Sequence, residues 1–138
     1  MLSPIPRTMF HDNKGPIEEF SWGKFIISGR EHSKSWDTKV GVGKDIRLIG
    51  TKVSKWKERK GHDLTNEMVT GIFEENIDTL IIGIGAAGAV NCPASVQEYI
   101  KSKGIREILL LKTPEACKKY NELFQDGKHV ALLAHGTC

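Results

Sequence analysis

Short groups of apolar residues, separated by glycines and charged residues, make up the first part of this chain. Such groups are typical of strands joined by turns. The segment Ile17–Ser28 predicts one strand or two joined strands, and Trp22 within it is expected to lie in the core or on a sheet face. Ile46–Ile49 predicts another strand. Between them, residues 29–44 predict a loop that contains one short strand at Lys39–Val42.

A longer apolar stripe at helical spacing follows in the segment Asp63–Asn76, and it consists of Leu64, Met68, Val69, Ile72 and Phe73. This spacing predicts the first helix of the chain. Asp63 or Thr65 can cap the helix by accepting hydrogen bonds from its free backbone N–H groups. We interpret His62, which stands just before the segment, as a structural histidine.

Continuously apolar runs then alternate with amphipathic segments. The runs predict strands at Thr79–Ile84, Ile105–Leu111 and His129–Ala134, and the segments predict helices at Ala94–Lys103 and from Thr113 to Gly127. Thr113 is expected to cap the helix that begins there with its hydroxyl group, because Pro114 and Glu115 favour the first turn of a helix.

Strands that are apolar along their whole length are typical of parallel sheets covered on both faces. Strands that alternate with helices and are joined by tight connections indicate right-handed parallel crossovers. The sequence therefore predicts an α/β protein with a parallel C-terminal βαβαβ portion. The N-terminal β-strands are expected to extend that sheet or to pack beside it.

Ligands of parallel α/β sheets bind outside the carboxyl ends of the strands, where helix N-termini and backbone amides converge. In this chain those ends supply a glycine-rich loop, the start of the helix at Thr113 and a histidine. We therefore predict a crevice in which backbone amides hold a carboxylate or a phosphate, with ligand-binding residues Gly83, Gly85, Gly88, Thr113 and His135.

The string from Gly83 to Gly88 matches GxGxxG, but two features disfavour a dinucleotide site. Val90–Pro93 separates the third glycine from the next helix, and the next strand ends in Leu111–Lys112 rather than in an acidic residue. We expect no bound cofactor.

The segment from His135 to Cys138 brings a histidine close to a thiol. A Cys–His pair can act as a nucleophile, but no third residue that would orient the histidine is apparent. His135, Cys138 and Cys92 could also bind a metal ion, although their spacing fits no standard zinc pattern, and we expect no metal site. His135 is the candidate acid–base residue if the protein is an enzyme, with Thr113 positioning the substrate.

Composition limits the classes of function. The net charge is only +3, so a dedicated nucleic-acid domain is disfavoured. The basic run Lys52–Lys60 surrounds Trp56, which could stack on a nucleic-acid base, but we expect Trp56 to fold onto the core instead. The cysteine number, three, is odd, which favours reduced thiols in the cytoplasm over disulfides.

No apolar run is long enough to span a membrane, and the N-terminus has no signal-type apolar segment. We therefore predict a cytoplasmic protein without a membrane partner. Residues 1–15 contain prolines, a glycine and scattered polar residues, and predict a flexible arm ahead of a single domain at 16–138.

Four blocks of the sequence resemble a known family: Phe20–Gly23, Leu80–Pro93, Thr113–Leu123 with its Tyr-Asn-x-Leu string, and His135–Cys138 with its His-x-Thr-Cys string. This is the small domain family that includes the adipogenesis-associated Mth-domain-containing protein and the mitochondrial respiratory complex I assembly factor. The resemblance implies a three-layer fold around a mixed central sheet with one strand antiparallel to the others. It implies no established activity and no catalytic residues, although some relatives act as assembly or interaction partners.

These observations together predict a small interaction- or assembly-type protein with an anion-binding crevice at the carboxyl ends of the strands. Its partners would be another protein and a small anionic ligand. The alternative is a small-molecule enzyme that uses the same crevice with His135 as acid–base residue. A nucleic-acid binder acting through Lys52–Lys60 is the third hypothesis.

Overall fold

The computed structural model of the chain describes residues 7–35 and 38–138. They form two five-stranded sheets and two α-helices. The N-terminal sheet is antiparallel and contains, in spatial order, β1 (Thr8–His11), β2 (Ile17–Ser21), β3 (Lys24–Ile27), β4 (Arg30–Ser35) and β5 (Thr38–Val40). The central sheet contains β6 (Asp45–Ile49), β7 (Lys52–Lys55), β8 (Thr79–Gly83), β9 (Glu107–Leu111) and β10 (Val130–His135). The helices are α1 (Ala94–Ser102) and α2 (Thr113–Gln125).

The central sheet is mixed, with the order β7-β6-β10-β8-β9. Strands β8, β9 and β10 are parallel, as the sequence predicts, while β6 pairs antiparallel with both β10 and β7. Strand β6 is therefore the one strand that opposes the other four, which confirms the expectation from the family resemblance. The register of β6 with β10 places Asp45 opposite His135.

Three layers result, with the central sheet in the middle. One face of the sheet, including Ile81 and Leu132, packs against α2 and the inner face of the N-terminal sheet, where Phe20 and Phe25 are fully buried. The other face, including Leu80 and Leu133, packs against α1 and the segment between β7 and β8. Both faces of the central strands are covered by apolar side chains, which explains why β8 and β10 are apolar throughout.

The predicted helix at Asp63–Asn76 is wrong. This segment forms two short 3₁₀ turns, Asn66–Met68 and Phe73–Glu75. Gly71 between them has φ +75°, and a Cβ there would lie 2.7 Å from Nε of Arg47. The Arg47 guanidinium donates to the carbonyl oxygen of Thr70 (2.9 Å). Leu64, Val69 and Ile72 of the apolar stripe are buried, and Met68 and Phe73 are partly buried. The backbone that carries them is held by this tertiary hydrogen bond instead of by helical ones.

Three expectations for the N-terminal part also need correction. Residues 8–11 do not form a flexible arm, because they pair with β2 as strand β1; residues 1–6 of the predicted arm lie outside the described part. The predicted loop at 29–44 contains strand β4, which pairs with β3. Trp22 is 51% exposed, because it lies in the turn between β2 and β3 rather than on a packed face.

The buried side chain of His32 on β4 makes stability depend on pH. Its Nδ1 accepts a hydrogen bond from the backbone N–H of Val42 (3.1 Å), which requires the unprotonated nitrogen. Burial, and to a lesser extent the charge of Arg30, lowers the pKa of His32 from its ordinary value of 6.5. As pH falls below 6.5, the unfolded chain takes up this proton before the folded chain does, so stability falls until the folded pKa is passed.

We expect urea unfolding of the wild type to show this loss below pH 6.5, and His32→Gln to show a shallower pH dependence over the same window. The measurement is the free energy of unfolding at several pH values for both proteins. Parallel curves for the two proteins would contradict the assignment.

Candidate functional site

Three elements meet at the carboxyl edge of the parallel strands. The side chain of Thr113 is fully buried there, and its hydroxyl oxygen accepts a hydrogen bond from the backbone N–H of Gly85 (3.0 Å). The same hydroxyl donates to the backbone carbonyl of His135 (2.7 Å). The glycine loop after β8, the start of α2 and the end of β10 are thus joined by one side chain.

Thr113 does not cap α2 as expected from the sequence. Lys112 occupies the N-cap position, and Thr113 stands inside the first turn, from where its hydroxyl reaches across to β10. Gly83 allows this close approach, because a Cβ at Gly83 would lie 3.1 Å from the Thr113 hydroxyl oxygen.

Backbone N–H groups of the glycine loop donate hydrogen bonds to carbonyl groups of the chain itself. Ala86 N–H donates to the carbonyl of Thr137 (2.6 Å), and Ala89 N–H donates to the carbonyl of Cys138 (2.9 Å). The N–H of Gly88 turns back to the carbonyl of Gly85 (3.2 Å). An anion could not use the Ala86 and Ala89 amides without displacing residues 137–138.

Gly85 is required for this arrangement. Its φ of +105° is a conformation that other residues rarely adopt, and a Cβ there would lie 2.4 Å from the carbonyl carbon of Cys138. The glycine loop is therefore a platform that holds Thr137 and Cys138 in place. Gly88 (φ +79°) completes the loop beside the aliphatic part of Lys112.

His135 is oriented by a carboxylate, contrary to our expectation that no such residue exists. Its Nδ1 lies 2.8 Å from Oδ1 of Asp45, which also accepts from the backbone N–H of Gly136 (3.2 Å). The other oxygen of Asp45 lies 3.1 Å from Nε of Arg59. Burial raises the pKa of the Asp45 carboxyl, but the hydrogen bond with His135 and the charge of Arg59 outweigh it, and the pKa is lowered.

An ionised Asp45 can only accept hydrogen bonds, so Nδ1 of His135 carries a proton, and in the neutral ring Nε2 holds the lone pair. This Nε2 lies 3.2 Å from the hydroxyl of Thr137 and 3.7 Å from Sγ of Cys138. His135 itself is only 2% exposed. Asp45 and His135 thus present one basic nitrogen to a hydroxyl and a thiol.

A second histidine approaches the same thiol. Nε2 of His62 lies 3.4 Å from Sγ of Cys138, and the His62 and His135 ring centroids are 6.2 Å apart. The ligand atoms of His62, His135 and Cys138 all lie within 4.8 Å of one another. His62 is exposed, so the cluster has one solvent-facing side. We interpreted His62 as a structural histidine ahead of a helix; that helix does not form, and His62 is exposed beside Cys138.

Cys92 takes no part in the cluster. It is 6% exposed and packs in the core on the α1 side, where burial raises the pKa of its thiol. A metal set that includes Cys92 is therefore not supported.

A cavity of about 720 Å³ lies on the outer face of the N-terminal sheet. The turn containing Trp22 forms one wall, and Thr137 forms part of the end nearest the cluster. Gly23 in this turn donates its N–H to the carbonyl of Gly136 (2.6 Å), which fixes the cavity next to the end of β10. The cationic side chains that line it are Lys24, Lys34 and Lys44, and the acidic ones are Glu19 and Glu31.

The basic run Lys52–Lys60 lacks an available stacking residue. Trp56, its aromatic residue, is 1% exposed and donates its indole N–H to the carbonyl of Met68 (2.8 Å). Arg59 forms an ion pair with Asp45. The expectation that Trp56 folds onto the core is confirmed, and these contacts disfavour nucleic-acid binding by stacking.

In the described part of the chain, no helix is both long enough and apolar enough to cross a membrane.

Comparison with known proteins places the chain among proteins of unknown function. Residues 17–135 match the sequence model of a family described as "Protein of unknown function (DUF498/DUF598)". The chain is also similar to solved structures, namely the conserved hypothetical protein PH1505 from Pyrococcus horikoshii OT3, a protein designated MT938, and an outer membrane protein from Bartonella henselae.

PH1505 has a TM-score of 0.68 and 23% identity over 88% of this chain and 98% of its own. For MT938 the TM-score is 0.66 and the identity 24%, over 96% of this chain and 100% of its own. The Bartonella protein has a TM-score of 0.70 and 20% identity, over 96% of this chain and 100% of its own. At these identities the likeness establishes the shared fold.

Proposed function

The chain belongs to the DUF498/DUF598 family of proteins of unknown function, and from its own residues we propose that it binds a small anionic molecule in the cavity beside Trp22 and Thr137. The anion-binding role that we predicted for the glycine loop is thereby moved to a neighbouring surface. The observation that carries the proposal is the cavity itself, which is large enough for a metabolite and carries three lysines.

The cavity is lined by three lysines and two glutamates, and this excess of one positive charge favours an anion. Glu19 forms an ion pair with Lys24 (3.5 Å), and Glu31 accepts a hydrogen bond from the hydroxyl of Ser33 (2.7 Å). Among residues 7–35 and 38–138, no ion pair involves Lys34 or Lys44. These two ammonium groups are therefore placed to contact a carboxylate or a phosphate, and the Trp22 ring offers an apolar face for the rest of the ligand.

The test is an NMR titration of ¹⁵N-labelled protein with inorganic phosphate, citrate and adenosine monophosphate in turn. With at least one of them we expect saturable shifts at the Trp22 indole N–H and at the Gly23 and Thr137 amides. Lys44→Gln should weaken binding about tenfold, which corresponds to the loss of about 1.4 kcal/mol. Lys118→Gln is the matched control, because Lys118 is exposed on α2, away from the cavity residues.

Shifts at the Ala86 and Ala89 amides without shifts at Trp22 would contradict this placement, and so would equal affinities of the Lys44→Gln and Lys118→Gln proteins. Binding should also weaken as salt concentration rises, because dissolved ions screen charge–charge contacts at the protein surface.

An interaction or assembly role is the second candidate, and the exposed Trp22 favours it. Tryptophan at 51% exposure on a turn is typical of residues that anchor protein interfaces. The family resemblance, through its assembly-factor members, supports the same role. Adding Trp22→Ala to the titration separates the two: weakened anion binding assigns Trp22 to the ligand, whereas unchanged binding leaves it for a protein partner. The free thiols at Cys92, Cys117 and Cys138 support a reducing compartment such as the cytoplasm.

An enzymatic role for His135 is the remaining alternative. Asp45 orients the ring, and Nε2 faces the Thr137 hydroxyl at the end of the cavity. A proton could pass between Nε2 and a bound ligand through that hydroxyl. This role requires the Nε2 lone pair of His135 to be free of a bound metal ion.

A further inference from the structure

We propose that His62, His135 and Cys138 bind a divalent transition-metal ion, with Zn²⁺ as the best fit. Two imidazole nitrogens and one thiol converge there, within 4.8 Å of one another. Nitrogen and sulfur are the ligands that zinc prefers, while calcium and magnesium prefer oxygen. The proposal does not rest on anion binding in the cavity.

The sulfur–nitrogen distances agree with tetrahedral zinc coordination. With Zn–S of about 2.3 Å and Zn–N of about 2.0–2.1 Å, the sulfur and nitrogen ligands of a tetrahedron lie about 3.6 Å apart. Sγ of Cys138 lies 3.4 Å from Nε2 of His62 and 3.7 Å from Nε2 of His135. The two imidazole nitrogens of a tetrahedral site lie about 3.3 Å apart, so the rings must close around the ion, and the exposed His62 can make this movement.

Asp45 supplies the outer contact that zinc-binding histidines usually have. A metal-bound histidine commonly donates its second N–H to a carboxylate, which fixes the tautomer and the orientation of the ring. Nδ1 of His135 makes this contact with Asp45 at 2.8 Å, so Nε2 is the nitrogen left for a ligand, and it lies 3.7 Å from the thiol and 3.2 Å from the Thr137 hydroxyl. The buried histidine is thus held as a ligand before any ion arrives.

The position of His62 favours a metal site over a site with a thiol nucleophile. A Cys–His nucleophile needs one histidine beside the sulfur and a third group that orients it, which His135 and Asp45 provide. That mechanism leaves His62 unexplained, although its Nε2 is closer to the sulfur than that of His135. Coordination of a metal ion uses both histidines.

The glycine loop holds both ligand-bearing segments. Asn91 N–H donates to the carbonyl of His62 (2.6 Å), and Ala89 N–H donates to the carbonyl of Cys138 (2.9 Å). Two amides only two residues apart therefore set the distance between the thiol and the exposed histidine. This gives the segment after β8 a role that its sequence does not reveal.

Three protein ligands leave a fourth position for water or for a ligand group, as in catalytic zinc sites. His62 is exposed, so this position can be reached from solvent. Zinc at Nε2 and acid–base chemistry at Nε2 of His135 exclude each other, because the lone pair can bind either the metal or a proton.

The test begins with protein freed of metal by dialysis against a chelator, followed by titration with Zn²⁺ in competition with a chromophoric chelator. We expect one zinc per chain. Asp45→Asn should weaken binding about 10–100-fold, and His62→Gln should weaken it at least as much. His129→Gln should bind as the wild type does, because His129 is exposed and lies outside the cluster. Since His62 is also exposed, its replacement leaves the core intact.

Two further readouts identify the ligands. Co²⁺ in place of zinc should give intense visible bands of tetrahedral geometry and a thiolate-to-cobalt charge-transfer band that Cys138→Ser abolishes. Zinc should also protect Cys138 from iodoacetamide, and the readout is clean because Cys92 and Cys117 are buried.

The proposal is overturned if the wild type takes up no stoichiometric zinc, if His62→Gln binds zinc as tightly as His129→Gln, or if the cobalt protein lacks the thiolate band. Loss of anion binding in Lys44→Gln with unchanged zinc affinity would separate the two proposals, because Lys44 belongs to the cavity and not to the cluster.

Discussion

Gly85→Ala should lower both the stability of the protein and its affinity for zinc. Alanine at φ +105° costs about 1–3 kcal/mol of backbone strain. In addition, its Cβ would lie 2.4 Å from the carbonyl carbon of Cys138, so residues 137–138 must move. That movement breaks the hydrogen bonds from Ala86 and Ala89 and takes the thiol away from both histidines.

Gly104→Ala is the matched control for this substitution. Gly104 has φ +99°, nearly the same conformation, but a Cβ there meets no atom within 4 Å. Urea unfolding should therefore show a strain cost for both variants and an additional cost for Gly85→Ala alone. Zinc titration should show weaker binding for Gly85→Ala only. Equal losses of stability in the two variants would mean that Cys138 is not held by the loop.

Thr113→Val should be comparably destabilising although it preserves the volume of the side chain. Valine removes a hydroxyl that satisfies the buried N–H of Gly85 and the carbonyl of His135. Each unsatisfied buried group costs about 1–3 kcal/mol, so we expect a total loss of about 2–5 kcal/mol in the free energy of unfolding. The measurement is chemical unfolding of the variant and the wild type under the same conditions.

Thr38→Val is a suitable comparison, because Thr38 is exposed on β5 and a surface substitution of this kind changes stability by less than about 0.5 kcal/mol. A Thr113→Val protein as stable as Thr38→Val would show that the contacts of the Thr113 hydroxyl do not join the glycine loop to β10. Thr113→Ser, which keeps the hydroxyl, should retain more of the stability than Thr113→Val.

The parallel half of the fold could be predicted from the sequence because its signals are local. Pro93 at the start of α1 and the apolar runs of β8 and β10 each act within a few residues. The helix predicted at Asp63–Asn76 failed because its backbone is set by a distant partner: Arg47 on β6 reaches the carbonyl of Thr70. Periodicity records which side chains are buried and cannot record such a contact.

In the candidate site too, local sequence signals were predictive and contacts between distant residues were not. Gly85, Thr113 and His135 each stand at the carboxyl end of a parallel strand, so the sequence predicts that they lie near one another. Asp45 was missed because it meets His135 only through the pairing of β6 with β10, across 90 residues of sequence. His62 was interpreted as a structural histidine because its approach to Cys138 spans 76 residues of sequence.

The position of β10 has a consequence for how the molecule is made. It lies between β6 and β8 in the middle of the central sheet, yet it follows the other four strands of that sheet in chain order. Until it emerges, β6–β7 and β8–β9 are separate pairs with open edges, which are prone to aggregation. Such long-range closure is typically slow. The core and the candidate site are therefore complete only when β10 has joined the sheet.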